Sequence, residues 1–254
     1  MEIVKNFFSE AARHADRFYI IHYSSQSLFD AEAGGLSPRI TSIVVRHYQT
    51  GQTVSFSMHT VAEYLEIPKG DVENQYDDVE RELLTQFYDF ARDRREKYWV
   101  HWNMRNVVYG FEHLEHRYRV LTKKEPPSIP IEVRLNLNDI LKRRFGQDYA
   151  PDPRMSSLME MNGARIQGFL SGKEESEAFK NQDFIRMNTS TIAKVGFFSF
   201  VISSAQRGKL KTAGHGILNF ADRLLESRMA RVIGALGVAI TLVVGITQLV
   251  IWVK

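Results

Sequence analysis

The run FYIIHY at residues 18–23 is a dense group of β-branched and aromatic side chains close to the start of the chain. A short apolar run of this composition predicts a buried β-strand. Two similar runs follow, ITSIVVRHY (40–48) and QTVSFSM (52–58), and the turn residues 49–51 between them predict a hairpin. The first part of the chain is therefore expected to form a three-stranded meander.

Beyond the meander, the pattern alternates between helix and strand and then becomes helical. Apolar residues recur at helical spacing from Asp77 onward, and YWVHW (98–102) predicts a short strand before a helix over 107–121. Further helices are predicted over 138–145, 154–161, 174–181 and 191–206, with a capping box formed by Ser171 and Glu174. The predicted fold class is α/β, a mixed sheet with flanking helices and a helical C-terminal region.

The last apolar stretch, VIGALGVAITLVVGITQLVIWV (232–253), contains no charged residue. A helix of that length reaches roughly 33 Å, which is enough to cross a hydrocarbon core of about 30 Å. Trp252 suits the headgroup level at its far end, and Arg223, Arg228 and Arg231 precede it as candidate contacts for lipid headgroups. Because the basic flank stays cytosolic, the pattern predicts a tail-anchored, single-pass membrane protein with a cytosolic N-terminal domain.

Three regions follow from this division: a globular cytosolic domain over 1–206, a basic amphipathic juxtamembrane helix over 207–231, and a transmembrane helix over 232–253. The transmembrane helix is also expected to associate with copies of itself. Small residues at every fourth position allow helices to approach closely in lipid, and a polar side chain adds an interhelical hydrogen bond of about 1 kcal/mol. The residues that carry this prediction are Gly237, Thr241, Gly245 and Gln248.

Composition and charge exclude several classes of function. The chain has no cysteine, which excludes disulfides, cysteine-ligated zinc, iron–sulfur clusters and a thiol nucleophile. Seven basic residues stand against two acidic ones from Arg207 onward, which leaves 26 basic against 28 acidic residues in 1–206. The excess of positive charge thus lies beside the predicted membrane segment, which weakens a DNA-binding interpretation of the domain but leaves room for a local patch.

Four stretches resemble the DEDD-type 3′–5′ exonucleases. VHWNMRNVVYGFEHL (100–114) is similar to their second motif, and LNLNDILKRRFGQDYAPDPRMSSLMEMNG (135–163) to the helical stretch after it. GFLSGKEESEAF (168–179) and MNTSTIAKV (187–195) resemble the region of the third motif. The predicted order of a meander, a helix and a parallel fourth strand is also that of the ribonuclease H-like folds. The resemblance spans roughly residues 18–205 and implies a ribonuclease H-like fold for the domain.

Catalysis in that family requires two divalent ions held by four carboxylates. In this chain the corresponding positions fall on residues 22–24, 106–109 and 191–194, none of which is acidic. The residues therefore predict no metal site and no cofactor. The expected function is a non-catalytic, membrane-anchored binding or effector module, as in bacterial antiviral defence, which recognises a protein partner or a nucleic-acid end.

Two alternatives stay open. The first is a membrane-bound, magnesium- or manganese-dependent 3′–5′ nuclease with an unusual site that involves His22, Asn103, Glu112 and His113. His113 and His116 lie one helical turn apart and could share zinc with His22, although a solvated helix face with its own ion pairs is favoured. The second is an effector that disrupts membranes through self-association of its transmembrane helix.

Overall fold

The computed structural model of the chain describes residues 2–26, 37–105, 108–164 and 167–213. Five strands form one sheet in the order β3-β2-β1-β4-β5. β2 is antiparallel to β1 and β3, whereas β4 runs parallel to β1 and β5 parallel to β4. The predicted meander and the parallel fourth strand are confirmed. The strands are β1 (Phe18–Ser25), β2 (Ile40–His47), β3 (Thr53–Ser57), β4 (Tyr98–His101) and β5 (Arg134–Asn136).

Helices connect and cover these strands. Two precede β1, two lie between β3 and β4, one lies between β4 and β5, and four follow β5 in the described part of the chain, where a helical region was predicted. They are α1 (Glu2–Lys5), α2 (Phe7–Arg13), α3 (Met58–Tyr64), α4 (Tyr76–Arg92), α5 (Phe111–Thr122), α6 (Leu137–Phe145), α7 (Arg154–Met161), α8 (Gly172–Lys180) and α9 (Phe184–Gln206).

Each face of the sheet is covered by its own set of helices. Side chains alternate along a strand, so that Ile21 and Tyr23 of β1 face a core built with α3, α4 and α5. Phe18 and Ile20 face the opposite core, which includes residues of α2, α6 and α9. Because both faces are buried, the strands read in the sequence as continuous apolar runs rather than as alternating ones.

α9 is the main cover of the second face, and it begins seven residues earlier than the predicted start at Thr191. Asp183 caps the helix by accepting a hydrogen bond from the backbone N–H of Arg186 at 3.1 Å. The first turns contain Asn188, Thr189 and Ser190, which are weak helix formers, so the sequence alone gives no helical signal there. Packing against the sheet supplies the missing stability.

The prediction of a transmembrane helix is corrected by the structure. None of the helices in the described part of the chain combines the length and the apolar character needed to cross a bilayer. The longest, α9, has 23 residues, but Arg186 and Lys194 and several hydroxyl side chains interrupt its apolar surface. The fold class of the described residues is therefore α/β, a mixed five-stranded sheet with flanking helices, and none of these residues forms a transmembrane helix. The predictions of a tail anchor and of a single-pass membrane localisation with a cytosolic N-terminal domain depended on that helix, and they are corrected for the same reason.

The stretch from which those predictions came, 232–253, lies outside the described residues. The same holds for the residues assigned to self-association, to the membrane and to headgroups, namely Gly237, Thr241, Gly245, Gln248, Trp252, Arg223, Arg228 and Arg231. Of the predicted juxtamembrane helix over 207–231, only residues 207–213 are described, and they are not helical.

Candidate ligand-binding cleft

The carboxyl end of β1 is polar on the face that α9 covers. Along this face, the side chains of β1 change from Phe18 and Ile20 to His22 and Ser24. The side chains of α9 that face β1 change from apolar to polar in the same direction. The Phe198 ring lies 5.5 Å from the His22 ring, whereas Thr191 Oγ1 lies 2.7 Å from Ser24 Oγ. Strand and helix therefore enclose a buried group of polar side chains at this end of the sheet.

Glu175 is the acceptor at the centre of this group. Its Oε1 atom accepts hydrogen bonds from Lys194 Nζ at 2.6 Å, from Ser24 Oγ at 3.1 Å and from Ser190 Oγ at 3.1 Å. Thr191 extends the group to β2, since its Oγ1 lies 2.9 Å from Ser42 Oγ. We refer to Ser24, Ser42, Glu175, Ser190, Thr191 and Lys194 as the polar cluster.

α8 presents Glu175 to the sheet. The predicted capping box is confirmed: the Ser171 hydroxyl accepts from the backbone N–H of Glu174, and the Glu174 carboxylate accepts from the backbone N–H of Ser171. The hydrogen bonds that the Ser171 backbone N–H and hydroxyl donate to the Glu174 carboxylate also hold the pKa of Glu174 below its usual value. The box satisfies two of the amide groups at the start of the helix. One residue later, Glu175 points into the polar cluster, and its side chain is only 17% exposed.

His22 borders the polar cluster in a neutral form. Burial is the main reason why the pKa of His22 lies well below its usual value, and the charge of Lys194 and the neighbouring His101 lower it further. The Tyr109 hydroxyl donates to the backbone carbonyl of Tyr23 at 3.0 Å and lies 3.2 Å from His22 Nδ1. Because the hydroxyl hydrogen is used on Tyr23, the imidazole N–H donates to the Tyr109 oxygen.

An open cleft of about 610 Å³ lies directly above Glu175. The three hydrogen bonds to Glu175 all reach Oε1, and Glu175 is one of the residues that line the cleft. Among the described residues, two lysines and two glutamates line the cleft, so the formal charges of these four side chains balance. We define the binding cleft by Gln26, Pro38, Tyr109, Lys173, Glu175 and Lys180, to which Glu177 adds the second carboxylate.

His22 and His113, two of the residues proposed from the sequence for a nuclease site, lie on opposite faces of the sheet. His22 packs against Phe198 of α9. His113 belongs to α5 on the other face, where its Nδ1 lies 3.0 Å from the Tyr23 hydroxyl and its Nε2 lies 3.0 Å from the carbonyl oxygen of Pro38. Burial lowers the pKa of His113 to about 4.

The other two proposed residues have structural partners elsewhere. Glu112 forms an ion pair with Arg134 at 2.6 Å, at the surface between α5 and β5. Asn103 follows β4 in the left-handed region with φ of 55°, and its Oδ1 accepts from Asn138 Nδ2 at 2.9 Å. The structure therefore does not bring His22, Asn103, Glu112 and His113 together into one site.

The donor set of the polar cluster does not fit a divalent ion. Within the described residues, no three His, Asp or Glu side chains converge on one point, including any group around His113 and His116. Glu175 is the one carboxylate in the polar cluster, and the ammonium group of Lys194 already compensates its charge. A hard cation requires several oxygen ligands and would have to displace this lysine.

Sequence reasoning missed Glu175 and Lys194 as site residues, although a signal for one of them existed. Lys194 is the single charged residue in the run IAKVGFFSFVISSA (192–205), and charged side chains are rarely buried unless they are paired. A lone lysine on an apolar helix face therefore indicates a buried partner. Nothing in the sequence identified Glu175 among the several acidic residues of α8 as that partner.

Comparisons with known proteins give no match to the chain, whether to a family model, to a curated protein or to a solved structure. The class of protein that the fold and the site define is an α/β domain with a binding cleft at the carboxyl end of its central strand. The floor of that cleft is a carboxylate neutralised by a lysine.

Proposed function

We propose that this chain is a binding module of ribonuclease H-like fold that holds the end of a nucleic-acid strand in the binding cleft without hydrolysing it. The strand order β3-β2-β1-β4-β5, with β2 antiparallel to its neighbours, supports the expected ribonuclease H-like arrangement. The binding cleft lies at the carboxyl end of β1, where two parallel strands and the last described helix meet. Ligands of α/β sheets generally bind at this end of the strands.

The Lys194–Glu175 pair is the observation that carries the proposal. Metal-assisted hydrolysis needs cations that bind the attacking and leaving oxygens, and these cations need a set of carboxylates. Here the Lys194 ammonium lies 2.6 Å from Glu175, the one carboxylate of the polar cluster, and provides a fixed positive charge instead. An ammonium group can hold a carboxylate in place, but it does not assemble the oxygen-rich site that this hydrolysis requires. Binding without cleavage follows.

The lining of the binding cleft suits a base together with its phosphate. Glu175 lines the cleft, and carboxylates accept hydrogen bonds from amino groups of bases. Lys173 and Lys180 supply positive charge near the start and at the end of α8. The volume of about 610 Å³ lies within the range of small-ligand sites. With balanced formal charge, the cleft fits a strand end better than a long stretch of backbone.

Lys173 provides the test, because it is an exposed residue of the cleft that makes no contact in the polar cluster. A labelled single-stranded oligonucleotide of about 8 nucleotides should bind the full chain and stay intact with magnesium or manganese. Lys173→Glu should weaken this binding several-fold, whereas the matched control Lys123→Glu, on the exposed end of α5, should leave it unchanged.

Three results would contradict the proposal. Divalent-dependent shortening of the oligonucleotide would support the nuclease alternative instead, and loss of shortening in His22→Ala would then identify His22 as part of its site. Equal affinities of Lys173→Glu, Lys123→Glu and the unmodified chain would show that the strand end does not occupy the binding cleft. A chain that binds no oligonucleotide at all would favour a protein partner.

A further inference from the structure

Five exposed basic side chains that have no ion-pair partner in the described part of the chain belong to segments that pack against one another. They come from three distant parts of the sequence: the end of α1, the last turn of α6, and the segment that follows α9. We refer to Lys5, Arg143, Arg207, Lys209 and Lys211 as the basic surface. Unlike the binding cleft, this surface has a positive charge that no described side chain compensates.

Packing contacts bring the three parts together. The rings of Phe8, close to Lys5, and Phe145, close to Arg143, lie 6.5 Å apart. Gln206, next to Arg207, donates its side-chain N–H to the backbone carbonyl of Phe8 at 3.1 Å. Leu210 is buried in the same apolar core as Phe8 and Phe145, which fixes the backbone between Lys209 and Lys211.

Most acidic side chains around the basic surface are already paired. Glu10 of α2 binds Arg13 at 2.5 Å, Asp139 of α6 binds Arg105 at 2.5 Å, and Asp152 lies 3.7 Å from Arg154. Asp148 and Glu160 are the nearby carboxylates without an ion pair among the described residues. The segment 207–213 contains no acidic residue at all. The local charge therefore remains strongly positive.

We propose that the basic surface binds the phosphate backbone of a nucleic acid independently of sequence and of strand ends. Exposed lysines and arginines bind phosphates with release of condensed counterions, and several of them on one surface are the electrostatic mark of such binding. The basic surface offers charge without aromatic side chains of its own, which fits contact with the backbone rather than with the bases.

The basic surface is separate from the binding cleft, although one strand could reach both. Lys194 lies beside the cleft and Arg207 follows the end of α9, thirteen residues later, which corresponds to about 20 Å along the helix. The proposed backbone site could bind the same strand whose end occupies the binding cleft, but the proposal does not depend on the end-binding function. A strand without ends distinguishes the two.

Circular single-stranded DNA is the probe, because it has a backbone and no end. The full chain should bind it, and the affinity should fall steeply between about 50 and 200 mM salt. Lys209→Glu/Lys211→Glu should weaken this binding by at least about tenfold and reduce the log–log salt slope by about 1.4, since each lost phosphate contact removes about 0.7. Lys123→Glu/Lys124→Glu, an exposed pair at the end of α5, is the matched control and should bind normally.

Lys173→Glu should leave the binding of circular DNA unchanged, because this residue belongs to the binding cleft. If circular DNA fails to bind while the short linear oligonucleotide still does, the backbone site is wrong and the end-binding proposal stands. Equal losses of affinity for circular DNA in Lys209→Glu/Lys211→Glu and in Lys123→Glu/Lys124→Glu would also overturn the proposal of a backbone site. Tighter binding of polyglutamate than of DNA would overturn it as well. Circular dichroism spectra of the variants should match that of the unmodified chain, since all five substituted side chains are exposed.

Discussion

Lys194 of α9 and Glu175 of α8 neutralise each other at the carboxyl end of β1, with Nζ and Oε1 2.6 Å apart. Both side chains are largely removed from water, at 7% and 17% exposure. A charge in such a place is tolerated because its partner is present, and it becomes costly as soon as the partner is removed. The pair therefore joins two helices and at the same time forms the floor of the binding cleft.

Replacement of Lys194 by methionine should destabilise the chain by about 3–5 kcal/mol, because it leaves the carboxylate of Glu175 without its cation. The double variant Lys194→Met/Glu175→Gln should recover most of this loss, since no uncompensated charge remains. Urea unfolding at neutral pH measures both. Lys173→Met, at an exposed position on the same helix as Glu175, should change the free energy of unfolding by less than about 0.5 kcal/mol.

Removal of Arg117 should produce a loss of stability that depends on pH. Arg117 binds both carboxylate oxygens of Glu80, which is fully buried in α4. Burial raises the pKa of Glu80, and Arg117 is the main influence that opposes it. In Arg117→Met the folded-state pKa of Glu80 should therefore rise further above its unfolded value.

A raised carboxyl pKa penalises the folded state above the unfolded pKa, and the penalty disappears as the pH falls below it. The stability gap between Arg117→Met and the unmodified chain should thus be largest at pH 7–8 and smaller near pH 4. Urea midpoints across this range measure the gap. A gap that stays constant with pH would show that Arg117 acts by packing alone.

Acid should weaken the fold below pH 6.5 because buried histidines resist protonation. Burial lowers the pKa of His101 to about 3 and that of His113 to about 4. The unfolded chain takes up these protons near pH 6.5, so stability is complete above that value and is lost as the pH falls toward the folded-state values. Each group contributes about 1.4 kcal/mol per pH unit within its window.

The variant His113→Gln tests this assignment, because glutamine can replace the hydrogen bonds to Tyr23 and Pro38 and does not titrate. Its urea midpoint should fall less steeply between pH 6.5 and 4 than that of the unmodified chain. His116→Gln, one turn further along α5 on its exposed side, should keep the original slope. Identical slopes for the two variants would contradict the role of His113.

Gly168 should not tolerate a side chain. Its φ of +83° is unfavourable for other residues, and an added Cβ would lie 2.6 Å from Cγ2 of Thr189. Gly168→Ala should therefore cost about 1–3 kcal/mol in urea unfolding. Thr189→Ser removes Cγ2 alone. In combination with Gly168→Ala, it should restore the stability lost through the contact with Cγ2 and leave the loss caused by the unfavourable backbone conformation. Full recovery would mean that the backbone is not strained.

Sequence reasoning succeeded where the signal is local. The strand at 18–23, the hairpin after it and the capping box at Ser171 each depend on residues within a few positions of one another. It missed β5, because three residues, Arg134–Asn136, are too few to show a period. The transmembrane prediction relied on the length of one uncharged run, and no helix in the described structure supports it.

The site could not be read from the sequence because its members are distant along the chain. Thr191 meets Ser24 across 167 positions and Ser42 across 149. No periodicity connects serines and threonines at such separations, and these residues are common in loops and on surfaces. His22 and His113, which the sequence suggested as partners in one site, lie on opposite faces of the sheet. Side chains alternate along β1, but the helix that packs on each face is known only from the structure.

The position of α9 has a consequence for synthesis on the ribosome. β1 emerges first, yet the helix that covers one of its two faces is the last described element of the chain. A nascent polypeptide can thus pair its first three strands early, but one apolar face of the sheet lacks its main cover until α9 has been synthesised. Chaperones that shield apolar surfaces should therefore engage translating ribosomes whose product stops before Phe184, and should let go once Gln206 has left the exit tunnel.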